Sequence, residues 1–484
     1  MKYKSITLLV FIFLVMTHLE PSHAQYVDSS KSLNQYAFDL YGELKGEKEN
    51  VFLSPLSTYY ALLSAYEGSK NKTKTAFEKV LYLKDSTRYN YNDLYKQESN
   101  ADSLFGLKIS NAIWVDKKFQ VETAFKNVVL SKYSSDFKQT NFANTALAVT
   151  DINRWVSDKT NQRITDMVNP SDINSETKLM ISNAVYFKGE WLTKFEKLRT
   201  AESTFFTDNE NQYNVDFMNI TENLNYFENE SFQFITKPYK DSDLSFCVLL
   251  PKTLYGLEAI ENNLNAEFFN EILEQTVSTK VWLSIPKIKL ETSYKLKSAL
   301  TNMGLNSVFN NEADFSGILK NEPLTIEQVA HKTYIDITED YTEAAAATTT
   351  IVYIRGLPLY KTFKVDHPFV FFIVDNKTNA MVFMGRYVKP QEGKVIDKAN
   401  FVDNLLKRNN KKLDWGGNDK ILILIAERKK FKPIDIQDVN FNNIEYLKVY
   451  KKEDVKKFTT EDYYGVVVLK LKKTKKLKKN SIRE

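Results

Sequence analysis

One cysteine, Cys247, serves all 484 residues, so no disulfide can form within the chain. Its setting, SFCVLLP, is that of a buried strand, where a lone thiol acts as a small core hydrophobe. Histidine is equally scarce: of four, His18 and His23 fall in an N-terminal leader, leaving His331 and His367. No HExxH, GxSxG elbow, glycine-rich phosphate loop or paired-cysteine zinc pattern occurs in the sequence. These absences argue against an enzyme of a familiar class, and no cofactor or metal is expected. Extended apolar runs are also lacking. The stretch from Ile6 to Met16 is too short to cross a bilayer comfortably. Lys2 and Lys4 precede it and Pro21-Ser22-His23-Ala24 follow, the pattern of a secretory signal cleaved near Ala24/Gln25. The expectation is an exported protein, extracellular or periplasmic.

What is present is globular material, 43% hydrophobic and 13% aromatic. The net charge of +5 is unevenly spread. From Gln391 onward there are 24 Lys and Arg against 14 Asp and Glu, so a basic tail follows a net-acidic body, with a seam near Pro390. Three domains are therefore expected: a signal over 1–24, a main domain over 25–390 and a basic α/β extension over 391–484. The final run KLKKTKKLKK carries seven lysines from Lys470 to Lys479. It reads as a solvated tail or as a contact for an anionic surface.

Residues 31–185 read mainly as helices. Ser54-Pro55 opens one of them, with Ser54 as N-cap and Pro55 in the first turn. Ile152, Trp155, Val156, Ile164 and Val168 keep helical spacing over Val149 to Val168. After Lys178 the character changes. LMISNAVYF, LSFCVLLP, VWLSIPKIKL, FVFFIV and AMVFMGRYV are short apolar runs bounded by turn residues, as buried strands are. The last two flank Asp375-Asn376-Lys377-Thr378-Asn379 and should pair as a hairpin apolar on both faces. Helices first and strands later indicate an α+β fold.

The stretch TEAAAATTTIVYIRGLP, Thr342 to Pro358, suits no single local structure. Glu343 and four alanines favour helix, the β-branched residues after them favour an extended chain, and Gly356 and Pro358 favour a turn. Period-two alternation from Thr342 puts Thr342, Ala344, Ala346, Thr348, Thr350, Val352 and Ile354 on one side, with no charge and no proline among them. A segment built this way can be exposed in one state and a buried strand in another. An inward unpaired charge would cost several kcal/mol and stall the change.

Nine segments in order carry a resemblance to the serpins, the serine protease inhibitor superfamily, over residues 30–390: NVFLSPLSTYYALL, SNAIWV, INRWVSDKTNQRI, SNAVYFKGEW, FCVLLP, SIPKIKLETSY, ADFSGI, VAHKTYIDITEDYTEAAAAT and DHPFVFFIVDNKTNAMVFMGRYVKP. The resemblance implies a large central β-sheet, surrounding helices and an exposed reactive-centre loop. It also implies a suicide substrate, in which a serine protease cleaves the loop and is trapped covalently as the loop inserts into the sheet. Family spacing counts seventeen residues from the acidic hinge residue, here Glu339, to the reactive bond, which falls at Arg355-Gly356. Arginine there fits a trypsin-like pocket bearing a carboxylate. Counting back from His367-Pro368 makes Tyr353 and Leu357 the competing residues. The hinge comprises Glu339, Tyr341, Thr342, Glu343, Ala344, Ala345, Ala346, Ala347 and Thr348. Ser54, Ser57, Asn183 and His331 match the polar cluster where the sheet opens, Trp191 the tryptophan at the site of first insertion, and Lys287 the partner of Glu339.

Two departures from the family pattern stand out. Tyr341 sits where the family has glycine, which would favour the substrate outcome over trapping. Residues 391–484 continue past the usual end. Part of them, with IEYLKVYK and Tyr464 to Leu469, resembles the plug module of TonB-dependent receptors and implies docking to another protein. The reading is a secreted, monomeric inhibitor of an Arg-specific trypsin-like serine protease, with no nucleic-acid partner. The rival is a non-inhibitory serpin that binds or stores.

Overall fold

The computed structural model describes residues 23–46, 49–83, 106–207, 212–339, 360–391, 394–395, 421–427, 430–433, 444–459 and 465–471. The chain forms two compact units, Met1–Ala201 with Asp216–Gln391, and Glu202–Val215 with Glu392–Glu484.

In the first unit a five-stranded sheet runs in the order Ile288–Lys295, Ile326–Ile337, Leu179–Lys188, Gly106–Asp116, Asp136–Thr140. Ile326–Ile337 and Leu179–Lys188 are parallel neighbours, and each is antiparallel to the strand on its other side. Successive side chains of a strand point to opposite faces. Ala184, Tyr186, Ala330 and Tyr334 therefore share one face, where they pack with Ile152, Trp155 and Val156 of helix Thr145–Lys159 and with Ile164, Met167 and Val168 beyond it. Asn183 and His331 point to the other face, toward helix Pro55–Tyr66.

A second sheet runs Val51–Leu53, Met381–Tyr387, Phe369–Asp375, Leu244–Pro251, Phe232–Pro238, Gln212–Glu228, Val277–Pro286, Lys361–Lys364. Toward one end of it, beside Val51–Leu53, lies the hairpin Phe369–Asp375 with Met381–Tyr387, antiparallel and buried on both faces. Asp375 builds the turn, accepting from Thr378 N at 2.7 Å and Lys377 N at 3.1 Å, while Asn379 takes a left-handed φ of 59°. Asparagine tolerates that region better than most residues. The fold is α+β, as expected.

Three local expectations need refinement or correction. Among the described residues of 31–185 helices predominate, but not throughout: Gly106–Asp116 and Asp136–Thr140 are strands. In the first of these Leu107, Ile109, Ile113 and Val115 alternate, a period-two signal set among helical neighbours. The helix expected over Val149 to Val168 stops at Lys159. Thr160 ends it by donating to Val156 O at 2.8 Å and accepting from Ile164 N at 3.1 Å, with Asn161 and Gln162 following at φ 51° and 61°. The run VWLSIPKIKL is not one strand. Val277–Pro286 belongs to the second sheet and Ile288–Lys295 to the five-stranded one. Pro286 lacks the N–H a continuing ladder needs, and the change of sheet falls at Lys287.

In the second unit Ile421–Glu427 pairs antiparallel with Lys430–Pro433 and parallel with Gly465–Leu471, which pairs antiparallel with Ile444–Lys451. Leu424, Val455, Val466 and Val468 form its small core. Between Ile444–Lys451 and Gly465–Leu471 lies a 3-10 helix, Lys452–Lys457. The segment Glu202–Val215 belongs to this unit as well, with Asn214 and Tyr213 facing Lys394 and Val395.

Candidate functional site

The site is the seam between the parallel strands Leu179–Lys188 and Ile326–Ile337. Pairing sets His331 opposite Asn183 at mid-strand. Beneath them Ser54 caps helix Pro55–Tyr66, its Oγ accepting from Ser57 N at 3.3 Å and donating to Val382 O at 2.8 Å. The Ser54 N–H donates to His331 Nε2 at 3.1 Å. Nε2 therefore carries no proton in this arrangement, and the neutral ring's proton sits on Nδ1, which donates to Asn183 Oδ1. The Asn183 amide donates in turn to Ser57 Oγ and to Asn111 Oδ1. Ser54, Ser57, Asn183 and His331 are thus in one buried network. Burial drives the His331 pKa down to about 3, so the ring is neutral at physiological pH.

Asn111 belongs to this network and was not anticipated. Its only signal in the sequence is that it is the polar member of the alternating series Leu107, Ile109, Ile113 and Val115, a place where a buried amide must find partners.

The remaining predicted residues gather at the end of the seam where Ile326–Ile337 finishes. Trp191 Nε1 donates to Thr338 O at 3.0 Å, and the indole stacks on Tyr239 with centroids 4.7 Å apart. Glu339 is buried and lies 3.1 Å from Lys287 Nζ, while Thr200 Oγ1 donates to it at 2.5 Å. Burial alone would raise its pKa, but the hydrogen bonds from Thr200 and Lys287 outweigh that and hold the carboxyl below its usual range. On the helix-covered face Lys332 donates to Asp166 Oδ1 at 2.7 Å and lies 2.8 Å from Glu291, tying the segment after the helix to the seam strand. Tyr186 and Tyr334 meet across the seam at 6.0 Å.

The expected hinge residues Tyr341, Thr342, Glu343, Ala344, Ala345, Ala346, Ala347 and Thr348, the expected reactive bond Arg355-Gly356 and its competitors Tyr353 and Leu357 lie outside the described residues. Cys247 is buried in Leu244–Pro251 opposite Thr236 and Phe372, and burial pushes its thiol well above the ordinary range. His367 Nε2 is bonded to Pro251 O at 2.8 Å. Neither is arranged for nucleophilic chemistry.

A protein-family model described as Serpin (serine protease inhibitor) matches residues 31–390. An uncharacterized serpin-like protein of Thermococcus kodakarensis is 38% identical over 372 residues, covering 75% of this chain and 86% of that one. The leukocyte elastase inhibitor of Xenopus laevis is 33% identical over 375 residues, with 75% and 99% covered. Among solved structures the thermophilic serpin tengpin in its native state superposes with a TM-score of 0.67 at 32% identity, covering 74% of this chain and 93% of that chain.

Proposed function

Because the chain belongs to the serpins, a family made up mostly of protease inhibitors rather than catalysts, we propose that it is a secreted suicide-substrate inhibitor of an Arg-specific, trypsin-like serine endopeptidase. Cleavage at Arg355-Gly356 leaves the protease as an acyl-enzyme, and the freed loop enters the five-stranded sheet before deacylation. Loop insertion of this kind is an established property of the family. The observation that carries the reading is strand direction. Ile326–Ile337 and Leu179–Lys188 are parallel, so a segment that turns back after Glu339 and lies between them is antiparallel to both. Such a strand makes ladder bonds on each side, and the uncharged alternation from Thr342 to Ile354 suits its inward face. The buried network around His331 and the contacts of Trp191, Lys287 and Glu339 hold the seam closed beforehand.

The test is incubation with trypsin. An SDS-stable adduct is expected, with a released C-terminal fragment beginning at Gly356, and Arg355→Ala should abolish the adduct while leaving the fold intact. A fragment beginning at Ile354 or Pro358 would move the reactive bond to Tyr353 or Leu357. Residues 391–484 act in this reading as an accessory module that docks to another protein or an anionic surface. A chain truncated after Lys394 should therefore trap trypsin at an unchanged rate, and a large loss of rate would make the basic tail part of the protease-binding surface.

A further inference from the structure

Lys237 lies in the strand Phe232–Pro238 with 1% of its side chain exposed. A lysine is almost never buried unless paired. Its ammonium donates to the Glu222 carboxylate on Gln212–Glu228 and to the Thr193 carbonyl at 2.8 Å. It also sits 5.3 Å from the Trp191 ring centroid and 4.8 Å from that of Phe195. Burial lowers its pKa even with Glu222 beside it. One cation thus gathers the turn carrying Trp191, Thr193 and Phe195 onto the second sheet. The indole so fixed is the one whose N–H holds Thr338 O, one residue before Glu339.

We propose that Lys237 is a positioning residue for loop insertion, acting through Trp191: it fixes the indole against Thr338 and so keeps the end of the seam shut until cleavage. The inference rests on the insertion reading above, but can be tested apart from it. All four contacts, two charge-assisted hydrogen bonds and two cation–π interactions, depend on the ammonium and not on the volume of the side chain. Lys237→Met keeps the volume and removes the ammonium.

The experiment follows the full-length, uncleaved protein held below its melting midpoint and measures how fast cleavage within residues 342–358 by limited proteolysis is lost. This readout requires no inhibition. Lys237→Met should lose susceptibility about tenfold faster than wild type, the effect expected for losing one charge-assisted hydrogen bond, and its tryptophan emission should shift as the cation leaves the indole. Trp191→Phe should also accelerate the loss, and Lys237→Met/Trp191→Phe should be no faster than Trp191→Phe alone, because the lysine acts through the ring. Equal rates for Lys237→Met and wild type, or additive effects in the double variant, would overturn the proposal. If Lys237→Met does not fold, Glu222→Gln supports the same cycle, with a smaller acceleration expected and a wild-type rate refuting it. Failure of wild type to form a trypsin adduct would sink the inhibitory reading alone, since the proteolysis rates would still report on Lys237.

Discussion

The hairpin Phe369–Asp375/Met381–Tyr387 and the seam between Leu179–Lys188 and Ile326–Ile337 are both buried strand pairs, held by opposite means. The hairpin strands are antiparallel and joined by a short turn, with apolar side chains on both faces. Phe371 lies against Gly385, where a Cβ would come within 2.2 Å of its ring, and stacks on Phe52 at 5.8 Å. The seam strands are parallel, come from distant parts of the sequence, and meet at Ser182, Asn183 and Ala184 against Ala330, His331 and Lys332. Parting the hairpin would expose aromatic rings to water, with nothing to replace the lost burial. Parting the middle of the seam breaks hydrogen bonds, and in the insertion reading the entering strand makes ladder bonds again on both sides. If the proposed insertion takes place, the parallel seam with its polar middle parts far more readily than the apolar hairpin.

The largest expected effect tests the seam directly. Roughly ten new ladder bonds at about 0.5–1.5 kcal/mol each are worth on the order of ten kcal/mol. Cleaved protein should then melt some 20 °C, to order of magnitude, above the intact form. Equal midpoints by calorimetry would mean that no strand enters, and the non-inhibitory serpin would become the better reading. Next comes the hairpin: Phe371→Ala should cost about 3–5 kcal/mol. It should lower the intact and cleaved forms alike, because the hairpin is common to both. A loss confined to one form, measured by denaturant unfolding, would break the contrast.

The third prediction is smaller and concerns pH. His331 titrates near 6.5 when unfolded and at about 3 in the fold, where burial disfavours the charged ring. The unfolded chain therefore takes up the proton first as pH falls. Stability from this group is complete above about pH 6.5 and declines down to about pH 3, amounting to about 3 kcal/mol between pH 7 and pH 4. His331→Gln should flatten that part of the pH dependence relative to wild type in urea titrations. A protonated Nε2 would also face the Ser54 N–H donor to donor, so the loss should appear first as opening of the seam, read by hydrogen exchange at Asn183.

Much of this molecule was legible from local pattern. The Ser54-Pro55 helix start, the Asp375 turn and the doubly apolar strands beside it follow from capping chemistry, turn residues and hydrophobic runs, all of which act within a few neighbours. The period-two strand Gly106–Asp116 was legible in principle and was hidden by helical sequence around it. The division of VWLSIPKIKL between two sheets was not legible from its apolar character, since both halves are buried and a run of buried residues carries no record of which sheet receives it. Pro286 was the only local hint.

The sequence by itself determined which residues can occupy a core strand, where the chain turns, and that the stretch from Thr342 to Ile354 bears no inward charge, because side-chain chemistry and backbone preference are local properties. Only the tertiary structure decided that His331 lies opposite Asn183 over Ser54, that Asn111 completes their network, and that Lys237 is buried beneath Trp191 beside Glu222. Those are matters of register and of contact between segments far apart in the chain. Register depends on how whole faces pack together, and burial of an ion pair depends on a partner that no neighbouring residue announces.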